Sequence, residues 1–285
     1  MGWISLEPQP KFSLKQKFKI YWPFALSEIQ GALSYRGRFY FFILARLFSI
    51  FITYFLWKAI FASSGQEMIN GFTFDNMVWY IFISYLSADL IGSVSTSYIG
   101  YEVVDGSIAI NLIRPINYRM RLFFTSLGSI LYKLIMPTLP IWISFTIIRY
   151  LSAQELPPAL MTIIQFFVSL TLSFLIMFLF DFCFAMLSFY TTYVWGLNVV
   201  KSSVLRFLTG ELIPITFFPA VVQKALRFLP FSSMNYTPVM VYLGKIKGTA
   251  YWQSIATQVV WVVILYFLGS FLWNRAIKRL TILGG

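Results

Sequence analysis

Long, nearly uninterrupted apolar runs constrain the fold of this chain more than any other feature of its sequence. The first run, FYFFILARLFSIFITYFLWKAIF at 39–61, contains only two charged residues, Arg46 and Lys58. An α-helix of about 20 apolar residues is long enough to cross the roughly 30 Å hydrocarbon core of a bilayer. Because 59% of the 285 residues are hydrophobic and only 11% are charged, too few polar side chains remain to cover a soluble domain. The sequence therefore predicts an all-α, polytopic membrane protein with a single transmembrane domain over 1–285.

Six runs have the length and composition of membrane-spanning helices. They lie at 39–61, 77–95, 122–148, 159–187, 190–212 and 252–273. Only a short turn rich in Ser, Tyr and Thr, at 188–192, separates the fourth run from the fifth. We therefore expect spans one to five within 39–212, and span six with a C-terminal tail within 251–285.

The distribution of basic residues predicts the orientation of these spans. Lys and Arg are concentrated in the N-terminal tail (1–38), in the connection at 96–121 and in the C-terminal tail. The connection at 62–76 has two acidic residues and no basic one, and 149–158 has one of each sign. Connections rich in Lys and Arg stay on the cytoplasmic side. We therefore expect both termini and the 96–121 connection to be cytoplasmic, in a protein of the plasma membrane. The net charge of +12 follows from this topology and requires no nucleic-acid partner.

Two segments outside the spans are expected to lie against the membrane. The N-terminal tail mixes Lys with Phe, Tyr, Trp and Leu, which favours a cytoplasmic interfacial helix over an ordinary basic flank. Pro23 is expected to bend this helix or to start its second half. The segment 213–250 is apolar but is broken by four prolines, at 214, 219, 230 and 238. Broken backbone is tolerated in lipid only where protein or water satisfies it, so we expect outer re-entrant helices there.

Several charged residues lie inside the predicted spans. They are Arg46, Asp89, Lys133, Asp181, Lys201, Arg206 and Glu211. A charge at the centre of a membrane helix costs about 2.5–3.5 kcal/mol on insertion, so such residues are candidates for function. For Asp181, pairing between neighbouring helices and a functional role are both compatible with the sequence. Asp89 and Asp181 are also the carboxylates that an ion-coupled secondary transporter would use, although the internal repeats typical of such transporters are absent.

The sequence contains none of the common catalytic or nucleotide-binding motifs. There is no GxxxxGK[ST] loop, HExxH, CxxC or histidine, and Cys183 is the single cysteine. We therefore expect no catalysis by this chain alone and no cofactor or metal bound to it. Any nucleotide chemistry must belong to another polypeptide.

The connection at 101–121, YEVVDGSIAINLIRPINYRMR, gathers an unusual number of polar groups for so apolar a chain. Two acidic residues precede Gly106, an apolar stretch follows, and three arginines surround a proline. The arginines are Arg114, Arg119 and Arg121. The pattern predicts a short amphipathic helix on the cytoplasmic face, ended by Gly106, with its charges directed outward and its apolar residues directed towards the bundle. Such a helix suits docking of a soluble partner.

This connection resembles the corresponding loop of ABC-2 type exporter permeases. That loop often has acidic residues, Gly-[ST]-Leu, an apolar stretch and then a proline before the third span. The matching positions are Glu102, Asp105, Gly106, Ser107 and Pro115. One branch of the family has LxRPIN loops, which Leu112, Arg114, Pro115, Ile116 and Asn117 match. The resemblance covers nearly the whole chain and includes GELIP at 210–214, LPF at 229–231 and a basic tail that ends in Gly-Gly.

The resemblance implies a six-span fold with an N-terminal interfacial helix, a cytoplasmic coupling helix near 96–106 and outer re-entrant helices. The coupling helix would insert into a separate ATPase subunit, and two permease chains would assemble with two ATPases that hold ATP and Mg. Closure of the ATPases would tilt the spans and move cargo outward. The ATPase-coupling residues would be Glu102, Asp105, Gly106, Ser107, Arg114 and Pro115.

The second and fifth spans are implied to line the pathway between two permeases, which are either identical or diverged sisters. The candidate pathway residues are Tyr80, Ser84, Tyr85, Asp89, Asp181, Trp195 and Asn198. Their aromatic and small polar side chains suit amphipathic or apolar cargo, such as a drug, a lipid or a peptide, but equally suit ordinary helix packing. Besides the ion-coupled transporter, a non-transporting assembly factor or sensor is a further alternative.

Overall fold

The computed structural model describes residues 13–34, 36–154, 157–191 and 193–279, and the described chain is almost entirely helical. The start of the N-terminal tail and the Gly-Gly end lie outside these residues. The helices and strands are, in chain order, α1 (Leu14–Ser34), α2 (Arg36–Ser64), β1 (Met68–Ile69), β2 (Phe72–Thr73), α3 (Phe74–Ile91), α4 (Ser95–Val104), α5 (Ser107–Ile113), α6 (Tyr118–Lys133), α7 (Leu139–Ala153), α8 (Leu160–Ala185), α9 (Val194–Leu208), α10 (Ala220–Phe228), α11 (Phe231–Met234), α12 (Tyr236–Tyr242) and α13 (Thr249–Ala276).

Four helical stretches are long and apolar enough to cross a membrane. They are Tyr40–Ser64, Tyr118–Ser152, Leu160–Phe189 and Thr249–Arg279. The second of them joins α6 and α7 through a π-helical turn, Leu134–Thr138, which accommodates Pro137 without breaking the helix. The pair α3 and α4, bent by 40°, gives a fifth candidate. The polytopic all-α fold is thus confirmed, with spans near the predicted first, second, third, fourth and sixth positions.

The run at 190–212 differs from its prediction. Its helix, α9, has 15 residues, a length of about 22 Å that is too short for the hydrocarbon core. The helix ends because Gly210 adopts a left-handed conformation at φ 81° and Pro214 follows. The count of six spans therefore stays a prediction, and α9 crosses only part of the bundle before the chain breaks.

Two contacts mark the opposite ends of the bundle. The β1–β2 hairpin turns through Asn70 and Gly71, both at positive φ, and leads directly into α3. Lys245 Nζ donates to the Gly71 carbonyl at 2.6 Å, so the loop before α13 lies at the hairpin end. At the other end, the Asn117 N–H at the start of α6 donates to the Tyr21 hydroxyl at 2.7 Å. The first end is the predicted outer side and the second is the predicted cytoplasmic side.

Helix α1 lies along α6 and continues unbroken through Pro23. Its Tyr21 and Ala25 are buried, and a side chain at Gly128 of α6 would collide with the Ala25 backbone. Leu14 and Phe18 of α1 are exposed, as are the lysines beside them. An apolar and basic exposed face of this kind is typical of a helix in the membrane interface.

Within the broken segment 209–242, α11 and α12 are largely buried and pack against α3 and α8, whereas α10 is mostly exposed. The carbonyl groups of the segment that no helix satisfies accept hydrogen bonds from side chains of the spans. Tyr80 of α3 donates to the Gly210 carbonyl, and Ser84 donates to the Glu211 carbonyl at 3.0 Å.

Side chains of two further spans donate hydrogen bonds to the backbone of the same segment near α11. The Ser233 carbonyl accepts hydrogen bonds from the Ser173 hydroxyl on α8 at 2.9 Å and from Gln258 Nε2 on α13 at 3.0 Å. Gln258 is fully buried and also contacts Ser169 of α8. Because unsatisfied backbone groups are costly away from water, these side chains allow an irregular chain to lie inside a membrane protein.

Candidate functional site

A cleft of about 400 Å³ lies between α2, α3, α8 and α9. We call it the charged cleft, because six charged side chains form its wall or the layer directly behind it. They are Arg46, Asp89, Asp181, Lys201, Arg206 and Glu211. Apolar side chains such as Phe42, Met177 and Leu205 form the rest of the wall. The cleft thus combines charge and apolar surface within the membrane-spanning part of the chain.

The first group of charges links α2, α3 and the end of α9. Arg46 forms an ion pair with Asp89, and its second guanidinium nitrogen lies 3.7 Å from the Glu211 carboxylate. Arg206 Nε donates to the same carboxylate at 3.0 Å. The side chain of Arg206 is 41% exposed, whereas those of Asp89 and Glu211 are each 11% exposed. Arg206 is therefore the cation of this group that faces the opening of the cleft.

The second group links α4, α8 and α9. Lys201 Nζ donates to the Asp181 carboxylate at 2.7 Å and to the Thr96 hydroxyl at 2.9 Å. The Thr96 hydroxyl in turn donates to the backbone carbonyl of Asp181 at 3.0 Å. Asp181 is buried, with 2% of its side chain exposed. One hydroxyl group of α4 thus contacts both partners of a buried ion pair.

The six charges named above are three cations and three carboxylates, and Lys133 of α6 is a further cation behind the cleft, close to Gly92 and acting on Asp89. Removing one partner of a buried pair is strongly destabilising, by about 3–5 kcal/mol, because it leaves the other charge unpaired. Asp89 and Asp181 are therefore held by neighbouring helices, which is the pairing role that the sequence left open for Asp181.

Three of the predicted pathway residues do not line an open surface. Tyr80 and Ser84 are completely buried and bond the backbone of the broken segment. Tyr85 is also buried, with its hydroxyl 2.9 Å from Thr53 Oγ1 and its ring beneath the Arg46 guanidinium at 5.1 Å. In this structure they fill contacts within the chain, and their role as pathway walls stays a prediction.

The other predicted pathway residues are divided between the cleft and α9. Asp181 lines the cleft and Asp89 lies behind Arg46, while Trp195 and Asn198 are on α9. Trp195 is 65% exposed, and many other apolar side chains of α2 and α9 are exposed as well. The charged cleft is therefore flanked by two exposed apolar helix faces.

The predicted docking connection forms two short helices, α4 and α5, that meet at Gly106. Gly106 has φ 78°, a conformation that favours glycine, so the chain turns sharply there. Asp105 is exposed and accepts a hydrogen bond from the Ser107 N–H at 2.9 Å. Bonding from the Ser107 hydroxyl and N–H lowers the pKa of Asp105, which keeps it charged at neutral pH.

The outer surface of this connection is more apolar than the sequence suggested. Tyr101, Val104, Ile110 and Ile113 are between 53% and 72% exposed. Asp105, Arg114 and Pro115 are exposed beside them. We refer to these seven residues as the exposed tip.

Glu102 differs from its prediction as an outward-facing charge. It is buried, accepts a hydrogen bond from the Tyr118 hydroxyl at 2.7 Å and forms an ion pair with Arg121. Glu102 therefore fastens α4 to α6 from within. Of the three arginines in the connection, Arg121 is internal, Arg114 is exposed, and Arg119 lies between α6 and α13.

Sequence reasoning missed Thr96, Arg121 and Gln258 as functional or structural partners. Gln258 carried a signal, since it is a neutral polar residue inside an apolar run. Thr96 carried none, because its role depends on residues distant in the chain, and Arg121 was noticed as a charge but its pairing with Glu102 was not. Within the part of the chain that the structure describes, no group of three His, Cys, Asp or Glu side chains is placed to hold a metal ion.

A family model described as "ABC-2 family transporter protein" matches residues 47–284, which include the exposed tip and most of the charged cleft. No curated protein matches the chain.

Proposed function

The chain belongs to the ABC-2 family of transporter proteins, and we propose that it is the permease of an ATP-driven exporter coupled to a separate ATPase subunit. As a member of this family it is a multi-pass membrane protein and the permease of an ABC transporter. Three statements are parts of the proposal: a separate ATPase docks on this chain, transport is outward, and the cargo is amphipathic or apolar.

The observation that carries the proposal is the exposed tip together with its internal attachments. Four large apolar side chains on two short helices need a partner surface, and they lie at the predicted cytoplasmic end. The chain has no phosphate-binding loop, so the ATPase that docks there would supply both the nucleotide site and its Mg. Hydrolysis is proposed to take place on that subunit and not on this chain.

Movement of the docked tip would reach the charged cleft through α4. Thr96 lies eight residues before Val104, or about 12 Å along the helix. Since its hydroxyl bonds both Lys201 and the Asp181 backbone, a tilt of α4 changes the contact between α8 and α9. The Glu102–Arg121 pair would make α6 move with α4.

A second permease, identical or diverged, is proposed to cover the cleft. The exposed faces of α2 and α9 on either side supply apolar surface for this contact. Between two such chains, paired charges and apolar walls suit a cargo with both a polar and an apolar part. An amphipathic drug, lipid or peptide fits this description.

The structure gives less support to an ion-coupled transporter than to an ATP-driven exporter. Ion coupling would require Asp89 or Asp181 to bind and release a cation during transport. Each carboxylate already has a basic partner, Arg46 for the first and Lys201 for the second. Proton uptake by proteoliposomes that contain this chain alone would favour the ion-coupled mechanism.

Co-purification with charged tip variants tests the proposal. The double change Val104→Glu and Ile113→Glu places charge on two exposed apolar positions, so the fold is expected to persist while ATPase retention falls at least about tenfold, as loss of about 1.4 kcal/mol would produce. Arg275→Glu, on the exposed end of α13, is the matched control and should retain the ATPase. If the native chain brings no P-loop ATPase from the membrane, or if the double variant retains it fully, the proposal is wrong.

A further inference from the structure

Arg119 is a cation without an acidic partner in this structure. Its guanidinium donates to Ser270 Oγ at 3.0 Å and lies over the rings of Phe182 and Tyr266, at 4.6 Å and 5.1 Å. Among the residues that the structure describes, no carboxylate lies within ion-pair distance of it. A guanidinium has five N–H donors, so most of its capacity remains available.

A cavity of about 480 Å³ lies directly at this arginine, between the start of α6 and the end of α13. Its polar lining comprises Asn117, Arg119, Ser270 and Asn274, none of which carries negative charge. Tyr118 and Trp273, which stack at 5.1 Å, and Tyr266 form its aromatic wall. The size and lining suit a small anionic group bound against aromatic side chains.

Two features next to the cavity also favour binding of an anion. The positive end of the α6 helix dipole is beside it, with Asn117 as the N-cap. Arg275, Lys278 and Arg279 are exposed on the adjacent turn at the end of α13. Both features lie at the predicted cytoplasmic end, where the headgroups of anionic lipids are found.

We propose that this cavity binds the phosphate of an anionic phospholipid from the cytoplasmic leaflet, with Arg119 as the main ligand. Free phosphate shares this chemistry, but the surroundings favour the lipid. Phe267 and Phe271 are exposed on α13 beside the cavity, at 66% and 55%, and offer apolar surface to acyl chains. Asn117 and Asn274 can donate to the phosphate or to headgroup hydroxyls. The proposal depends on insertion in a membrane and is independent of any ATPase.

The test measures binding of dioctanoyl phosphatidylglycerol to the full chain in non-ionic detergent, by microscale thermophoresis. The same measurement with dioctanoyl phosphatidylcholine and with inorganic phosphate separates the lipid from a free anion. We expect Arg119→Gln to weaken phosphatidylglycerol binding by about tenfold or more, the loss expected for charge-assisted hydrogen bonds. Arg227→Gln removes an equal charge from an exposed position of α10, away from the cavity, and should leave the affinity within about twofold.

A second variant covers the possibility that Arg119→Gln does not fold. Asn274 is exposed and lines the cavity, so Asn274→Asp keeps the shape and adds one negative charge without disturbing the core. It should also weaken binding by about tenfold or more, since its carboxylate repels phosphate or occupies Arg119. Equal affinity for phosphatidylcholine or for inorganic phosphate would overturn the proposal. An unchanged affinity in Asn274→Asp, or an equal loss in Arg227→Gln, would overturn it as well.

Discussion

The six charges of the charged cleft form two small networks, and at the scale of single residues their pairing explains why they are tolerated. Each buried carboxylate of the cleft faces a cation on another segment, so neither charge is left alone in apolar surroundings. Thr96 stands out because it is neutral and yet touches both partners of the Asp181–Lys201 pair. A single hydroxyl group therefore connects the docking helix to the centre of the bundle.

Removal of one charge from this pair tests its role. Lys201→Met is expected to destabilise the protein by about 3–5 kcal/mol, because Asp181 is left buried without a cation. Addition of Asp181→Leu should recover most of the loss, since a buried pair can be replaced by apolar side chains at little cost. Thermal unfolding in detergent measures both changes.

Lys58→Met is the matched control for this prediction. Lys58 is on α2 and exposed, so its replacement should change the unfolding midpoint little. A double variant that is less stable than Lys201→Met would show that the two residues do not act as a pair.

At the scale of helices, the broken segment between α9 and α13 is held by side chains of three spans. Tyr80 and Ser84 come from α3, Ser173 from α8, and Gln258 from α13. This arrangement explains why two predicted pathway residues are buried structural groups. It also explains how α9 can stop short of membrane length.

Gln258→Leu tests this account of the broken segment. The change removes the donor to the Ser233 carbonyl and the contacts with Ser169 and Ser173, so we expect a loss of about 1–3 kcal/mol for each polar group left unsatisfied. Gln253→Leu makes the same substitution at an exposed position of α13 and should have little effect. Comparable unfolding midpoints for the two variants would contradict the account.

The helices that hydropathy predicted well are those whose burial in lipid is decided by their own residues. A long apolar run crosses the membrane wherever its neighbours lie, so the limits at 39–61 and 252–273 could be found from the sequence. Gly210 and Pro214 mark the end of α9 in the sequence, but the donors from α3 that satisfy the carbonyls of Gly210 and Glu211 could not be predicted, because they are distant in the chain.

The site was less predictable than the spans for the same physical reason. Glu102 resembles an exposed loop residue until Arg121 is known to lie beside it, and no local pattern joins the two. The exposed tip was found because its residues are contiguous, although its apolar character at Ile110 and Ile113 became clear only from the fold.

At the scale of the whole molecule, the two ends of the bundle have different chemistry. The hairpin end carries Lys245 and the β1–β2 turn, while the opposite end carries the exposed tip, α1 and the basic turn after α13. The positive-inside rule predicts that the second end is cytoplasmic.

Cysteine labelling tests this orientation. In a Cys183→Ser background, Gln66→Cys should react with a membrane-impermeant maleimide in intact cells, because it lies at the exposed hairpin end. Asp105→Cys should react only after the membrane is permeabilised. Labelling of Asp105→Cys from outside would reverse the orientation and remove the tip from the reach of an ATPase.

The central claim is that the exposed tip docks an ATPase, and photocrosslinking from the tip in native membranes tests it most directly. A photoreactive amino acid replaces Ile113, which is 72% exposed, and in a separate variant replaces Leu151, which is 70% exposed at the opposite end of the bundle. We expect the adduct from position 113 to contain a P-loop ATPase, identified by mass spectrometry, and the adduct from position 151 to lack it. An ATPase adduct that is absent from position 113, or equally abundant from position 151, would contradict the account.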